Sequence, residues 1–393
     1  MKKIFLIILL TFITLSSFAQ TWQNPMNVSG QADMGIGDPY IFKFRGTYYM
    51  YSSSRDAEIK CWKSKDLIHW SEAIVCSTDP TVKNAYAPEV VYWNGVFYMY
   101  ASPQGNGHYV LTSNSPTGPF VPVTGNLGKK IDGSVFIDDD SKWYFYHANS
   151  AGIQGCAMPN PTTFGQSVGL NAQMNGQWTE APCLIKRNGI YYLLYTGNHV
   201  WSNGYRVDYA MNTTQNPISI YTPQMEQNPV LIKTEGSFIG LGHGTAFIGP
   251  DLDTYYFTYH NLVRIGGGMA PSRKFNYDRM AWNGDKLLIL GPTNWAQQQP
   301  ALANADFFER TDIGADWSMP NGGNWSIKNK DLLSQDKTDT EYKAIFTLYS
   351  APDYTAEFTM KEAGINENDA KLGAVFSYKD EQNYGVALLN SSS

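Results

Sequence analysis

The sequence predicts an all-β chain: a five-bladed β-propeller followed by a partial or small β-sandwich. Three observations point there. A short turn-and-aromatic phrase recurs five times, its copies are spaced as propeller blades are, and no long stretch carries helical periodicity. The phrase reads Arg45-Gly46-Thr47-Tyr48-Tyr49-Met50-Tyr51, then Asn94-Gly95-Val96-Phe97-Tyr98-Met99-Tyr100. It returns as Asp140-Ser141-Lys142-Trp143-Tyr144-Phe145-Tyr146, as Asn188-Gly189-Ile190-Tyr191-Tyr192-Leu193-Leu194, and as Asp253-Thr254-Tyr255-Tyr256-Phe257-Thr258-Tyr259. A turn dipeptide leading into an aromatic strand is a hairpin signal. The first aromatics stand at 48, 97, 143, 191 and 255, steps that suit a four-stranded blade. A β-sandwich with chance hairpins would not repeat so regularly.

Ahead of the propeller, Lys2 and Lys3 precede an apolar run from Ile4 to Phe18. Ser17 and Ala19 place small residues at cleavage spacing before Gln20. Residues 1–19 therefore read as a secretory signal, which predicts a secreted or periplasmic protein. The run is short for a bilayer span, and no Cys follows the cleavage point to carry a lipid. The propeller is expected over 20–300, ending past Gly291-Pro292-Thr293 at the polar linker Gln297-Gln298-Gln299-Pro300. From 304 to 393 the texture changes. Trp325 to Ile327, Tyr342 to Leu348, Tyr354 to Met360 and Gly373 to Tyr378 alternate like sandwich strands. Roughly ninety residues is short for a jelly roll, so a small or incomplete β-sandwich accessory domain is expected.

Net charge is −6, and the basic residues are not clustered. That argues against nucleic acid or an anionic membrane as partner. Charged residues make up only 16% while aromatics reach 14%, with 26 Tyr and 11 Trp. Pleated surfaces absorb most such rings, leaving a handful as platforms for sugar faces. Cys61, Cys76, Cys156 and Cys183 are too few for a disulfide scaffold and fit no zinc spacing, so they read as structural or free thiols.

Counted back from the first aromatic of each phrase, Asp38, Ala87, Asp132, Glu180 and His243 occupy corresponding places. Corresponding places in a propeller form a ring about its axis, so three carboxylates and an imidazole converge on one funnel. A carboxylate aimed at an axis is costly unless paired, solvated or useful, and clusters of this kind mark functional sites. Glycosidic cleavage needs one group to protonate the leaving oxygen and another to activate water or attack carbon. A third acid can hold the proton donor's pKa up. No Gly-rich phosphate loop and no nucleophile elbow is present.

In order along the chain stand Gly37-Asp38-Pro39-Tyr40, Ala87-Pro88-Glu89-Val90, Ile131-Asp132-Gly133-Ser134, Glu180-Ala181-Pro182, Gly242-His243-Gly244, Arg273 and Gly291-Pro292-Thr293. Over residues 30 to 296 this series resembles glycoside hydrolase family 43. The resemblance implies Asp38 as general base, Glu180 as general acid and Asp132 as modulator of the acid's pKa, with inversion at the anomeric carbon. It implies Arg273 as a contact to the sugar and His243 as an axial group that helps hold an ion or water. No cofactor is required for such chemistry, though the family's channel can carry a structural calcium. The substrate class implied is arabinose- or xylose-containing plant polysaccharide or oligosaccharide, attacked as an α-L-arabinofuranosidase or β-xylosidase.

Departures carry expectations too. Gly133 stands where the family has Pro, which is expected to loosen the turn holding Asp132. Tyr86 stands where the family has Trp, and reads equally as a substrate contact and as blade packing. Glu89 lies off the ring and reads as structural. Trp178 and Trp201 read equally as platforms at the funnel mouth and as buried blade residues. Two alternatives remain: a retaining five-bladed fructan hydrolase, and a carbohydrate-binding propeller without turnover. The segment beyond 304 resembles laminin-G-like or jelly-roll accessory modules.

Overall fold

The computed structural model describes residues 20–29, 35–54, 56–174, 178–263, 272–330, 332–335, 341–347, 353–360 and 372–389. The secretory signal read at 1–19 lies outside them. Five antiparallel sheets follow one another in sequence order, blade 1 over 40–77, blade 2 over 85–122, blade 3 over 134–169, blade 4 over 179–223 and blade 5 over 239–289. Blades 1 to 4 each have four strands. Blade 5 has its inner edge split into Ile239–Gly242 and Ala246–Ile248, both paired to Tyr255–Val263.

The recurring phrase is the hairpin between the first and second strands of each blade. Its second strands are Thr47–Tyr51, Val96–Pro103, Trp143–Asn149, Ile190–Gly197 and Tyr255–Val263. Arg45-Gly46, Asn94-Gly95 and Asn188-Gly189 are left-handed at both residues, with φ of 50° and 69°, 46° and 84°, 52° and 76°. Paired positive φ values match the right-handed twist of the flanking strands, which is why Asn-Gly recurs there. The longer last step between phrases is the 224–238 connection into blade 5, which has only isolated bridging.

Five separate apolar clusters hold the molecule, one at each junction between neighbouring blades. Phe97, Met99 and Leu111 of blade 2 pack on Tyr51, Ile59 and Cys61 of blade 1. Tyr192, Leu194 and Val207 of blade 4 pack on Phe257, Tyr259 and Leu287 of blade 5. The tyrosine excess has a repeated use. Tyr51, Tyr100 and Tyr146, at matching places on the second strands, donate hydroxyl protons to the carbonyls of Pro116, Pro161 and Pro217 in the next blade. A buried ring thus packs one blade while its hydroxyl pins the following one.

Among the described residues no strand is exchanged between the first and last blades. The ring closes through 20–28 instead. Thr21–Trp22 pairs with Gln297–Gln298, and the Trp22 ring stacks on Tyr277 at 4.1 Å. Asn24 acts as a substitute strand: its Nδ2 donates to Tyr277 O at 2.9 Å and its Oδ1 accepts from Tyr277 N at 3.1 Å.

Past residue 300 the described chain forms three two-stranded ribbons: Trp317–Ser318 with Ile345–Phe346, Trp325–Lys328 with Leu332–Gln335, and Leu372–Asp380 with Asn383–Leu389. The strand expected over Tyr354 to Met360 is absent. Those residues are irregular and nearly all exposed, and alternation without a surface to bury against does not define a strand. Lys43 of blade 1 pairs with Glu357 at 2.8 Å, and Lys65 pairs with Glu309.

Candidate active site

In each blade the residue two places (three in blade 5) before the inner strand's pairing begins or resumes carries a left-handed backbone. These are Asp38 (φ 55°), Ala87 (38°), Asp132 (56°), Ala181 (55°) and His243 (48°). Each is followed by Pro39, Pro88, Gly133, Pro182 or Gly244, and the inner strand begins or resumes there. In blade 4 the ring place therefore belongs to Ala181, not to Glu180 as the count from the aromatic phrase suggested. The first hairpins differ in length between blades, and Ala181 keeps the spacing of blades 1 and 2. Glu180 nevertheless reaches the axis. It precedes the bulge between Glu180 and Cys183, pairs with Thr196 and is buried.

Asp38 has the most partners. Arg273 Nη1 donates to both of its oxygens, at 2.7 and 2.8 Å. Ser53 donates its hydroxyl proton to Oδ2, and the Asp38 amide donates to His260 Nδ1 at 3.2 Å. Burial pushes the carboxyl's pKa up, but the charges of Arg273 and His243 together with His260 outweigh it and hold Asp38 well below the usual range. Arg273 reaches Asp38 across Gly37. A Cβ there would lie 1.8 Å from Arg273 Cζ, so the glycine before the aspartate is demanded by the guanidinium over it.

His243 bridges the cluster. Its Nδ1 lies 3.1 Å from Asp38 and 3.8 Å from both Asp132 and Glu180. Burial disfavours its charged form, but Asp38, Asp132 and Glu180 override that and raise it to about 10. Asp132 goes the other way. Burial first, then repulsion from Glu180 and Asp38, lift it to about 7 against the pull of His243. Its Oδ2 accepts from the Ala181 amide at 3.3 Å, which ties it to the backbone beside Glu180. Both Glu180 oxygens are engaged, Oε2 by the Trp178 indole N–H at 2.6 Å and Oε1 by the Tyr205 hydroxyl.

The site thus gathers Asp38, Asp132, Glu180, His243 and Arg273. Tyr86 is exposed beside Ala87 and has no polar contact to this cluster among the described residues. Trp178 and Trp201 are exposed, at 38% and 45%, which excludes the buried blade role. With His199 they form a chain of rings, centroids 4.8 and 5.7 Å apart, leading from Glu180 to solvent. Glu89, read as structural, accepts the Val135 amide of blade 3. It is buried at an axial cavity with Asp132, His243 and Thr245, and burial raises it to about 8. Ser53, Tyr205, His260 and His108 went unpredicted. His260 lies on the second strand of blade 5, while Ser53 follows Thr47–Tyr51 and Tyr205 and His108 immediately precede Arg206–Asn212 and Tyr109–Ser113, so no strand pattern in the sequence marks those three. Gly133 does not loosen its turn, because its amide donates to His108 Nε2 at 2.8 Å, a bond proline could not make.

Asp132, Glu180 and His243 offer ligand atoms within 4.8 Å of one another. Calcium takes six to eight oxygens. Two carboxylates and one imidazole supply fewer oxygens than that, so these described residues do not by themselves complete a calcium shell.

The family model for glycosyl hydrolases family 43 matches residues 33–288. The chain is 25% identical over 278 residues to a β-D-galactofuranosidase of Aspergillus niger, covering 63% of this chain and 79% of that protein. It is 27% identical over 187 residues to a xylosidase/arabinosidase of Butyrivibrio fibrisolvens, covering 40% of this chain but only 36% of that protein. A solved thermostable family-43 glycoside hydrolase superposes with a TM-score of 0.64 at 26% identity, covering 72% of this chain and 100% of that one.

Proposed function

Since the family match spans well over half of its length, the chain belongs to glycosyl hydrolases family 43, and on that premise we propose that it is an exported, inverting α-L-arabinofuranosidase or β-xylosidase. The observation that carries the reading is the opposed tuning of Asp38 and Asp132. Asp38 is held ionised by Arg273, as a base must be, while Asp132 takes up a proton near neutrality. Asp38 takes a proton from water, whose oxygen bonds to the anomeric carbon from the face away from the leaving group. Glu180 delivers its proton to the glycosidic oxygen as that bond breaks. Asp132 and Glu180 repel one another when both are ionised, which favours a proton on the pair, and through the Ala181 amide Asp132 fixes the backbone that carries the acid. Arg273 serves first as the partner of Asp38, and its free edge is available to a sugar hydroxyl. Trp178, His199 and Trp201 suit the leaving group, because the ring chain starts at the acid.

Arabinose- or xylose-containing polymers are favoured by the names of relatives such as the xylosidase/arabinosidase. The β-D-galactofuranosidase supports a second reading, a hexofuranose in place of the pentose. Export is supported by the run at 4–18 behind Lys2 and Lys3. The fructan and binding-only alternatives lose ground to the family assignment.

The test is product release from arabinan, arabinoxylan, xylan and 4-nitrophenyl α-L-arabinofuranoside, β-xyloside and β-galactofuranoside, with proton NMR of the first-formed anomer. A pentose of inverted configuration is expected. Retained configuration would overturn the inverting step, galactofuranose alone would replace the sugar, and no release from any substrate would reject the enzyme reading.

A further inference from the structure

We propose that His108 is a positioning residue for Asp132, holding the segment that carries this carboxylate from the neighbouring blade. The inference rests on the assignment of Asp132 as the group that tunes Glu180.

His108 lies just before the blade 2 strand Tyr109–Ser113 and is fully buried. Both ring nitrogens are in use. Nδ1 stands 2.5 Å from the Lys129 carbonyl, and Nε2 stands 2.8 Å from the Gly133 amide nitrogen. A carbonyl can only accept and an amide N–H can only donate, so Nδ1 carries the proton and Nε2 the lone pair. One neutral tautomer is thereby selected, and burial keeps the ring neutral, down at about 4. The acceptor therefore persists through any working pH above that.

Gly133 immediately follows Asp132, whose left-handed φ of 56° sets where its carboxylate points. Holding the 133 amide fixes that peptide plane and hence the aspartate. Proline would fix it by its ring; glycine leaves it free unless something else takes the N–H. His108 does so, and it also fills the space. A Cβ on Gly133 would fall 2.6 Å from His108 Nε2 and 2.3 Å from Phe145 Cζ. The His108 and Phe145 rings meet edge to face at 5.0 Å, so the imidazole has no room to swing away.

A second acceptor from the same blade supports the reading. Glu89 Oε2 takes the Val135 amide at 3.3 Å. Blade 2 has Ala87 at its ring place and so adds no polar side chain to the ring itself. It supplies two acceptors to the stretch after Asp132 instead.

The test compares wild type, His108→Leu and His108→Gln on two substrates that differ in the leaving group, xylobiose or an alkyl arabinofuranoside against the 4-nitrophenyl glycoside. A nitrophenolate leaves without protonation, so a residue acting through Asp132 on the acid should matter less there. His108→Leu is expected to lower kcat up to about 100-fold on the poor leaving group, with KM nearly unchanged and a much smaller loss on the nitrophenyl glycoside. His108→Gln, whose Oε1 can stand where Nε2 stood, is expected to recover most of the loss, and it keeps the test open if the leucine variant does not fold. A crystal structure of His108→Leu, or of His108→Ala if the leucine does not fold, should show the Asp132 carboxylate displaced. Wild-type kcat in His108→Leu, equal losses on both leaving groups, or an unmoved Asp132 would each overturn the inference. If the wild type cleaves nothing, the proposed function fails, and the position of Asp132 in that crystal structure decides this inference alone.

Discussion

Arg273 Nη1 sits 2.7 Å from Oδ1 and 2.8 Å from Oδ2 of Asp38, a single nitrogen shared by both oxygens of one buried carboxylate. The contact joins the start of blade 5's Ser272–Asn283 strand to the entrance of blade 1, so the closing point of the propeller and the charge of the site are one feature.

The first prediction concerns that charge. With Arg273→Met, burial is no longer offset by the guanidinium, and the pKa of Asp38 rises. Protonation would then remove the base at higher pH. The acid limb of kcat/KM should move upward in the variant, read on a 4-nitrophenyl glycoside between pH 4 and 8. An unchanged limb with a lower plateau would assign Arg273 to sugar binding alone.

The two reacting carboxylates should separate by leaving group. Asp38→Ala should lose at least ~1000-fold on every substrate, because water attack is needed in all of them. Glu180→Ala should lose as much on xylobiose and far less on the nitrophenyl glycoside. Equal losses would reject the base and acid assignment.

His243 links the site to stability. Its folded pKa of about 10 lies above the ordinary histidine value near 6.5, so protonated His243 stabilises the fold fully below that ordinary value. The contribution declines as pH rises and is lost through about 10. The Tm of the wild type should exceed that of His243→Gln at pH 6 by several degrees, and the gap should close toward pH 10. A gap that widens with pH would contradict the imidazolium.

Ring closure depends on Asn24. Asn24→Ala removes two hydrogen bonds to Tyr277, about 2 kcal/mol at ~1 kcal/mol each. Thermal unfolding should begin several degrees lower, while kcat/KM at 25 °C stays at the wild-type value, since Asn24 touches no reacting group. A loss of activity without loss of Tm would place Asn24 in the site.

Removing 304–393 tests the segment beyond the propeller. As a substrate tether it should matter more for polymer than for a nitrophenyl glycoside. Lys43–Glu357 and Lys65–Glu309 instead make it a brace for blade 1. Equal losses on both substrates with a lower Tm would assign it to bracing.

How far the sequence could be read follows from what each feature needs. The blades were legible because each hairpin is local. Asn94-Gly95 and Asn188-Gly189 specify their own turn, and aromatic strands need only a pleated partner. Asp38, Asp132 and His243 were legible because repetition lines up equivalent places, whereas Glu180 was named by a count that falls one residue off the ring place. The same counting failed by one residue at Ala181, since the loops between phrases vary in length and only strand register decides the place. It also gave no sign that Glu89 meets Val135 of the next blade, a contact only the folded ring creates.

Local chemistry along the chain therefore specified the number of blades, their turns and the family of carboxylates. Tertiary structure decided which of those groups stay charged. Arg273 lies 235 residues beyond Asp38 and His108 lies 25 before Gly133. Fields and hydrogen bonds act across space, not along the backbone. The proton on Asp132, the charge on His243 and the glycine at 133 have their reasons only once the five blades are closed into a ring.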